Sequence, residues 1–264
     1  MDRLPTLFVS HGAPTFALEP GTAGPLLTKV GQAIERPRAV LVFSPHWMTR
    51  SIMVGTAEAP STVHDFGGFP ESLYQLQYPA PGHPELARTA ADLLLAAGHP
   101  VKLDVNRGLD HGAWVPLRYL FPSADVPVFQ VSMPATLDAE AAWRLGETLS
   151  PLSSQGVLIL GSGSLTHNLR EFRQAHSNNE AYVGEFVQWI RAAVTAMDQN
   201  LLVHALSRAP HGERAHPDAD HFLPLLVAAG AAAHGAAVDV MQGGITHGVL
   251  SMESYLFGVP AVAA

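Results

Sequence analysis

The chain contains no cysteine. Disulfides, cysteine nucleophiles and thiolate metal sites are therefore excluded. Cations are scarce as well. Lys and Arg total 15 against 23 Asp and Glu, for a formal net charge of −8 with histidine neutral, and the basic residues form no run. Phosphate backbones are held by clustered cations, so no nucleic-acid partner is expected. Long hydrophobic runs are missing too. The longest apolar stretch, 222–233, is too short to span a bilayer and carries Pro224, so no membrane association is expected. The N-terminal string MDRLPTLFVSHG has too brief an apolar run for a secretory signal, which makes the cytoplasm the expected compartment. Several catalytic strings are also absent: no G-x-G-x-x-G after a strand, no P-loop, no H-E-x-x-H and no G-x-S-x-G elbow, although GSGSLTH brings serines near a histidine.

What is present is a core. Hydrophobic residues make up 47% of 264 residues and charged ones only 14%, enough for one α/β domain over 1–264. Short, nearly continuous apolar runs at 6–10, 39–44, 126–132 and 157–160 read as strands covered on both faces. Further strands are expected at 51–56 and 237–241. Helical spacing marks 85–97, where Leu86, Ala90, Leu93, Leu94 and Ala97 share a face between Pro84 and Gly98. The segments 138–149, 179–197, 111–121 and 222–233 behave similarly. Strand–helix alternation along the chain predicts a central, mostly parallel sheet flanked by helices. Loops at 57–82 and 206–220 are longer than plain connectors need.

The composition holds one anomaly, which is 14 histidines against 15 Lys and Arg. The run TLFVS ends at His11, AVLVFS ends at Pro45-His46, and GVLIL opens through GSGS to His167. Ligands of open α/β sheets bind at the carboxyl ends of the strands. A lone histidine after a strand is most often a surface-loop residue, but three at equivalent positions point to a shared metal site at that edge. A further ligand is required. His221, at the head of an apolar helix, is the first candidate, and Asp220, Asp218 and Glu213 are the carboxylate alternatives suited to non-haem Fe(II). His111 in LDHGAW either contacts a ligand or caps a helix, and His64 in VHDFGGFP has the same status. His83, His99, His176, His204, His211, His216, His234 and His247 read as solvated loop or helix-end residues.

The strings LFVSHGAP, VFSPHW, TVHDFGGFPESLY, YPAPG, LDHGAWVPL, ILGSGSLTHNLR and DADHFLPLL, in this order, span nearly the whole chain. Together they resemble the class III extradiol ring-cleavage dioxygenases, the LigB superfamily, and most of all its bacterial 4,5-DOPA dioxygenase branch. The resemblance implies an α/β fold with the metal site at the carboxyl edge of the sheet. It implies one divalent metal held by His11, His46 and His221, with His167 as acid/base residue and possible fourth ligand. His111 would contact the substrate and His64 would belong to a substrate-binding loop bordering the pocket, the substrate being a small aromatic diol attacked by O2 to give a muconic semialdehyde. Protocatechuate-cleaving relatives carry a glutamate where this chain has His221. Three neutral histidines are also a zinc set, so Fe(II) is expected for activity and Zn(II) can compete for the ligands. A zinc-dependent hydrolase and a non-catalytic, metal-binding regulatory protein are the alternative readings.

Overall fold

The computed structural model describes residues 3–172 and 181–258. Among the described residues ten strands occur in chain order: β1 (Thr6–Ser10), β2 (Ala39–Thr49), β3 (Ile52–Gly55), β4 (Val101–Asp104), β5 (Val128–Pro134), β6 (Val157–Gly163), β7 (Val238–Met241), β8 (Ile245–Thr246), β9 (Leu250–Ser251) and β10 (Ser254–Phe257). Eight of them form one sheet in the order β4-β3-β5-β2-β6-β1-β10-β7, and β8 pairs with β9 separately. The pairs β4–β3, β5–β2, β2–β6 and β6–β1 are parallel, whereas β3–β5, β1–β10 and β10–β7 are antiparallel. The sheet is thus mostly parallel, as its apolar runs predict. β1 and β6 are buried at every position, and β2 from Ala39 to Pro45.

Side chains alternate across the sheet, with the period of two that a pleated strand imposes. Phe8, Leu41 and Phe43 enter one core, and Leu7, Val9, Val40 and Val42 enter the other. The first core is closed by α2 (Pro84–Ala96), α4 (Ala139–Leu149), α5 (Ala181–Thr195) and α6 (Leu223–Ala231). The second is closed by α1 (Ala23–Ala33) and α3 (His111–Leu120). Every residue of α6 is buried, which its all-round apolar sequence requires. Each fully buried Leu, Val or Phe adds roughly 1.5–3 kcal/mol relative to exposure. Among the described residues, no helix is long and apolar enough to cross a membrane.

Two features differ from the sequence pattern in ways that bear on function. β2 does not stop at Ser44 but continues to Thr49, and its register with β5 shifts between Phe43 and Met48. Pro45 lacks the N–H that a regular ladder needs, and a register shift is where a sheet tolerates proline. The loop 57–82 is pinned rather than loose. Thr62 bridges Leu109, the Tyr78 hydroxyl donates to Phe121 O at 2.9 Å, and Glu71–Tyr74 forms a helical turn.

Candidate metal centre

The parallel strands β2, β6 and β1 end at one edge of the sheet, and the histidines follow. His11 leaves β1, and its backbone N–H donates to Gly163 O at 2.9 Å. His46 lies inside β2 at the register shift, not beyond the strand end as its string suggested. His221 sits in the turn before α6, its carbonyl accepting from the Ser164 N–H at 3.0 Å. His111 is the first residue of α3, capped by Asp110, whose carboxylate accepts from the Ala113 N–H. His167 follows β6, and its N–H donates to Ala215 O at 2.8 Å.

The rings converge. His11 Nε2 and His46 Nε2 are 3.2 Å apart. One ring nitrogen from each of His11, His46 and His221 falls in a group whose members all lie within 4.8 Å of one another. The His111 ring is 3.9 Å from that of His46 and 5.3 Å from that of His11, centroid to centroid. The His167 ring stacks on that of His221 at 3.4 Å. Asp220 is the one sequence-candidate carboxylate near this set, its Oδ1 3.1 Å from His221 Nδ1, and it groups with His167 and His221. Asp218 lines an adjoining cavity of about 320 Å³ with His167, Asn168, Asp220 and His221. Glu213 is exposed on the turn Gly212–Ala215 and joins none of these groups. A larger cavity of about 490 Å³, between Trp143, Met197 and His234, contains none of the converging imidazoles.

Burial keeps His11, His46, His167 and His221 neutral. It pushes His11 and His221 well below the ordinary histidine range, and the neighbouring imidazoles push the same way. His46 is brought down to about 4 by burial and by His111, against the opposing charges of Asp110 and Asp65. His167 is also lowered by burial, with Asp220 and Asp218 opposing. Neutral imidazoles present lone pairs, which is the state a metal requires. Two nitrogens bound to one ion at about 2.0–2.1 Å sit roughly 3–3.4 Å apart, and the 3.2 Å between His11 Nε2 and His46 Nε2 meets that spacing. The buried His221 Nδ1, despite its nearness to Asp220, makes no correctly directed hydrogen bond. The donor set therefore fits a single divalent ion.

The sequence pattern missed the place of Asp65 and misread that of His216, while His64 keeps its place on the loop 57–82. Asp65, on the loop 57–82, accepts the His111 backbone N–H at Oδ1 (2.9 Å) and lies 3.0 Å from His111 Nδ1 and 3.5 Å from His46 Nδ1 through Oδ2. Burial alone would raise its pKa, but the hydrogen bonds from the His111 ring and backbone outweigh that and bring it down to about 2. His64 Nε2 is 3.0 Å from Leu76 O, and its ring packs on Phe66, Tyr74 and Trp114; Phe66 packs in turn on His111. His216 is not a solvated residue. It is buried against Phe186 and Phe222, with Nε2 2.9 Å from Leu165 O. His176 lies outside the described residues.

Residues 5–258 match the family described as the catalytic LigB subunit of aromatic ring-opening dioxygenase. The chain is 39% identical over 256 residues to a 4,5-DOPA dioxygenase extradiol of Beta vulgaris, covering 96% of each. It is 37% identical over 262 residues to a protein of the same description from Escherichia coli K12, covering 97% of this chain and 95% of that one. Among solved structures, that of an uncharacterised Escherichia coli K12 protein superposes with a TM-score of 0.79 at 31% identity, covering 97% of this chain and all of the other.

Proposed function

The chain belongs to the LigB family of aromatic ring-opening dioxygenases, and from that premise we propose that it opens a catechol on the carbon flanking the diol. Both atoms of O2 enter the product, a muconic semialdehyde. DOPA, named in the description of the Beta vulgaris relative, is the first substrate to test. The observation that carries this reading is the convergence of His11, His46 and His221 on one point, with a further neutral imidazole, His167, stacked beside it.

In this reading His11, His46 and His221 hold one Fe(II). When bound, that ion supplies a Lewis acid for the diol and the electron-transfer chemistry that O2 demands. Zn(II) suits the same three nitrogens but lacks redox chemistry, so it fills the site without supporting turnover. His167 accepts a catechol proton. Its lowered pKa leaves it unprotonated at neutral pH, as a general base must be, and it lines a cavity of about 320 Å³. His111 orients the diol. Asp65 occupies its Nδ1 side, which leaves Nε2 for the substrate. His64 borders the pocket through Phe66.

The test is anaerobic loading of the protein with Fe(II), then admission of air with L-DOPA or simple catechols. A yellow ring-opened product with matching O2 uptake is expected, and none is expected with Zn(II). Folded, Fe(II)-loaded protein that consumes no O2 with any catechol would overturn the reading.

A further inference from the structure

The string Gly161-Ser162-Gly163-Ser164 lacks a nucleophile elbow, yet its residues pack on His11 or on the segment that carries His221. A Cβ on Gly161 would lie 2.0 Å from Pro224 O, and one on Gly163 would lie 2.2 Å from His221 O. Only glycine lets the backbone of the His221 turn rest directly on β6. The Ser164 N–H then holds the His221 carbonyl at 3.0 Å. Ser162 does something different. It is fully buried, and its Oγ lies 3.0 Å from His11 Nδ1 and donates to Gly112 O.

A carbonyl cannot donate, so the single hydroxyl proton of Ser162 is committed to Gly112 O. Toward His11 the hydroxyl offers only a lone pair, and the contact is a hydrogen bond only if His11 Nδ1 carries the proton. We propose that Ser162 is a positioning residue that fixes His11 as the Nδ1–H tautomer, with Nε2 bare and turned toward His46 before a metal arrives. The same hydroxyl ties that ligand to the start of α3, because Gly112 follows His111. Without the acceptor, His11 is free to adopt the Nε2–H tautomer and to rotate. A metal must then displace a proton and reorder the ring, which weakens binding. This inference rests on the ligand role given to His11 above.

The experiment uses the full chain with 15N-labelled histidine, the ring of His11 being identified by its loss in His11→Gln. Two-bond 15N–1H correlation of the metal-free protein reports the tautomer, and chelator competition gives the Kd for Zn(II). Wild type is expected to show His11 as Nδ1–H. Ser162→Ala is expected to shift His11 toward Nε2–H and to raise the Zn(II) Kd by about 10- to 100-fold. Ser164→Ala, which removes a buried hydroxyl bonded to Thr166 O and not to an imidazole, is expected to leave the His11 tautomer unchanged. If Ser162→Ala fails to fold, Ser162→Cys serves with the same expected shift, since a thiol is a weak acceptor. An unchanged tautomer and Kd in the Ser162 variant, or an equal shift in Ser164→Ala, overturns the proposal. These readouts do not need turnover. A protein that shows them and opens no catechol ring refutes the dioxygenase reading while leaving the role of Ser162 standing.

Discussion

His167 lies flat on His221, with ring centroids 3.4 Å apart and planes 10° from parallel. A candidate proton acceptor is thereby held by contact with a candidate metal ligand, and the two functions can be separated by substitution. His167→Phe keeps a flat ring against His221 while removing the nitrogens. It should retain stoichiometric iron and lose roughly 10²- to 10⁴-fold in kcat, the usual worth of a general acid–base group. His11→Ala and His46→Ala should lose both iron and activity. Metal content and catechol turnover, measured on the same preparations, check this. Wild-type turnover by His167→Phe would remove His167 from the mechanism.

Asp65 makes two contacts with His111, one to the backbone N–H and one to the ring. Hydrogen bonds to a charged group contribute about 1.5–3 kcal/mol each, so Asp65→Ala should release the ring from its orientation. A KM for catechol raised roughly tenfold is expected, with iron retained, because neither Asp65 nor His111 belongs to the three-histidine set. His111→Ala should behave the same way, and the double variant should be little worse than either single one. Fully additive effects in steady-state kinetics would show that the two residues do not act as a unit.

Burial between Phe186 and Phe222 pushes His216 down to about 4. In the unfolded chain the same imidazole takes up its proton near pH 6.5. Between those values the unfolded state binds more protons than the folded state, so stability is full above about pH 6.5 and falls as the pH drops toward 4. The loss is about 1.4 kcal/mol per pH unit and about 3 kcal/mol in all. His216→Gln cannot titrate. Urea unfolding of the metal-free protein at pH 7 and pH 5 should therefore show a pH dependence smaller by roughly one proton. Equal slopes in the two proteins would mean that His216 is protonated alike in both states.

Which of these features was legible in the sequence follows from where their partners lie. The runs ending at His11 and His167 are local signals, and the sheet edge they predict is the one observed. β2 outran its string because Pro45 looks like a stop, whereas the register shift with β5 accommodates it. α1 gave no helical signal because Gly24, Pro25 and Gly31 interrupt it. β4 was not read because Lys102 and Asp104 break its apolar run and leave it partly exposed, and β10 was not read either. His216 stands among polar neighbours in HPDAD, and its burial is supplied by Phe186 from a distant helix. Asp65 was missed for the same reason, since its partners are remote in sequence at His111 and His46.

Glu253 is buried at 3% exposure. Arg191 pairs with both of its carboxylate oxygens, and the Tyr255 hydroxyl donates to one of them at 2.7 Å. The Glu253 carbonyl in turn accepts from Ser10 Oγ at 2.7 Å, one residue before His11. Removing one partner of such a pair strands a charge in a low-dielectric setting, whereas removing both does not. Arg191→Met should therefore destabilise the protein by roughly 3 kcal/mol, and adding Glu253→Gln should recover a large part of that loss. Because Ser10 hangs on the backbone of Glu253 and not on its carboxylate, the double variant should keep wild-type metal affinity. Urea unfolding and chelator competition measure the two quantities separately. A double variant no more stable than Arg191→Met would show that the loss in the single variant does not come from a stranded charge.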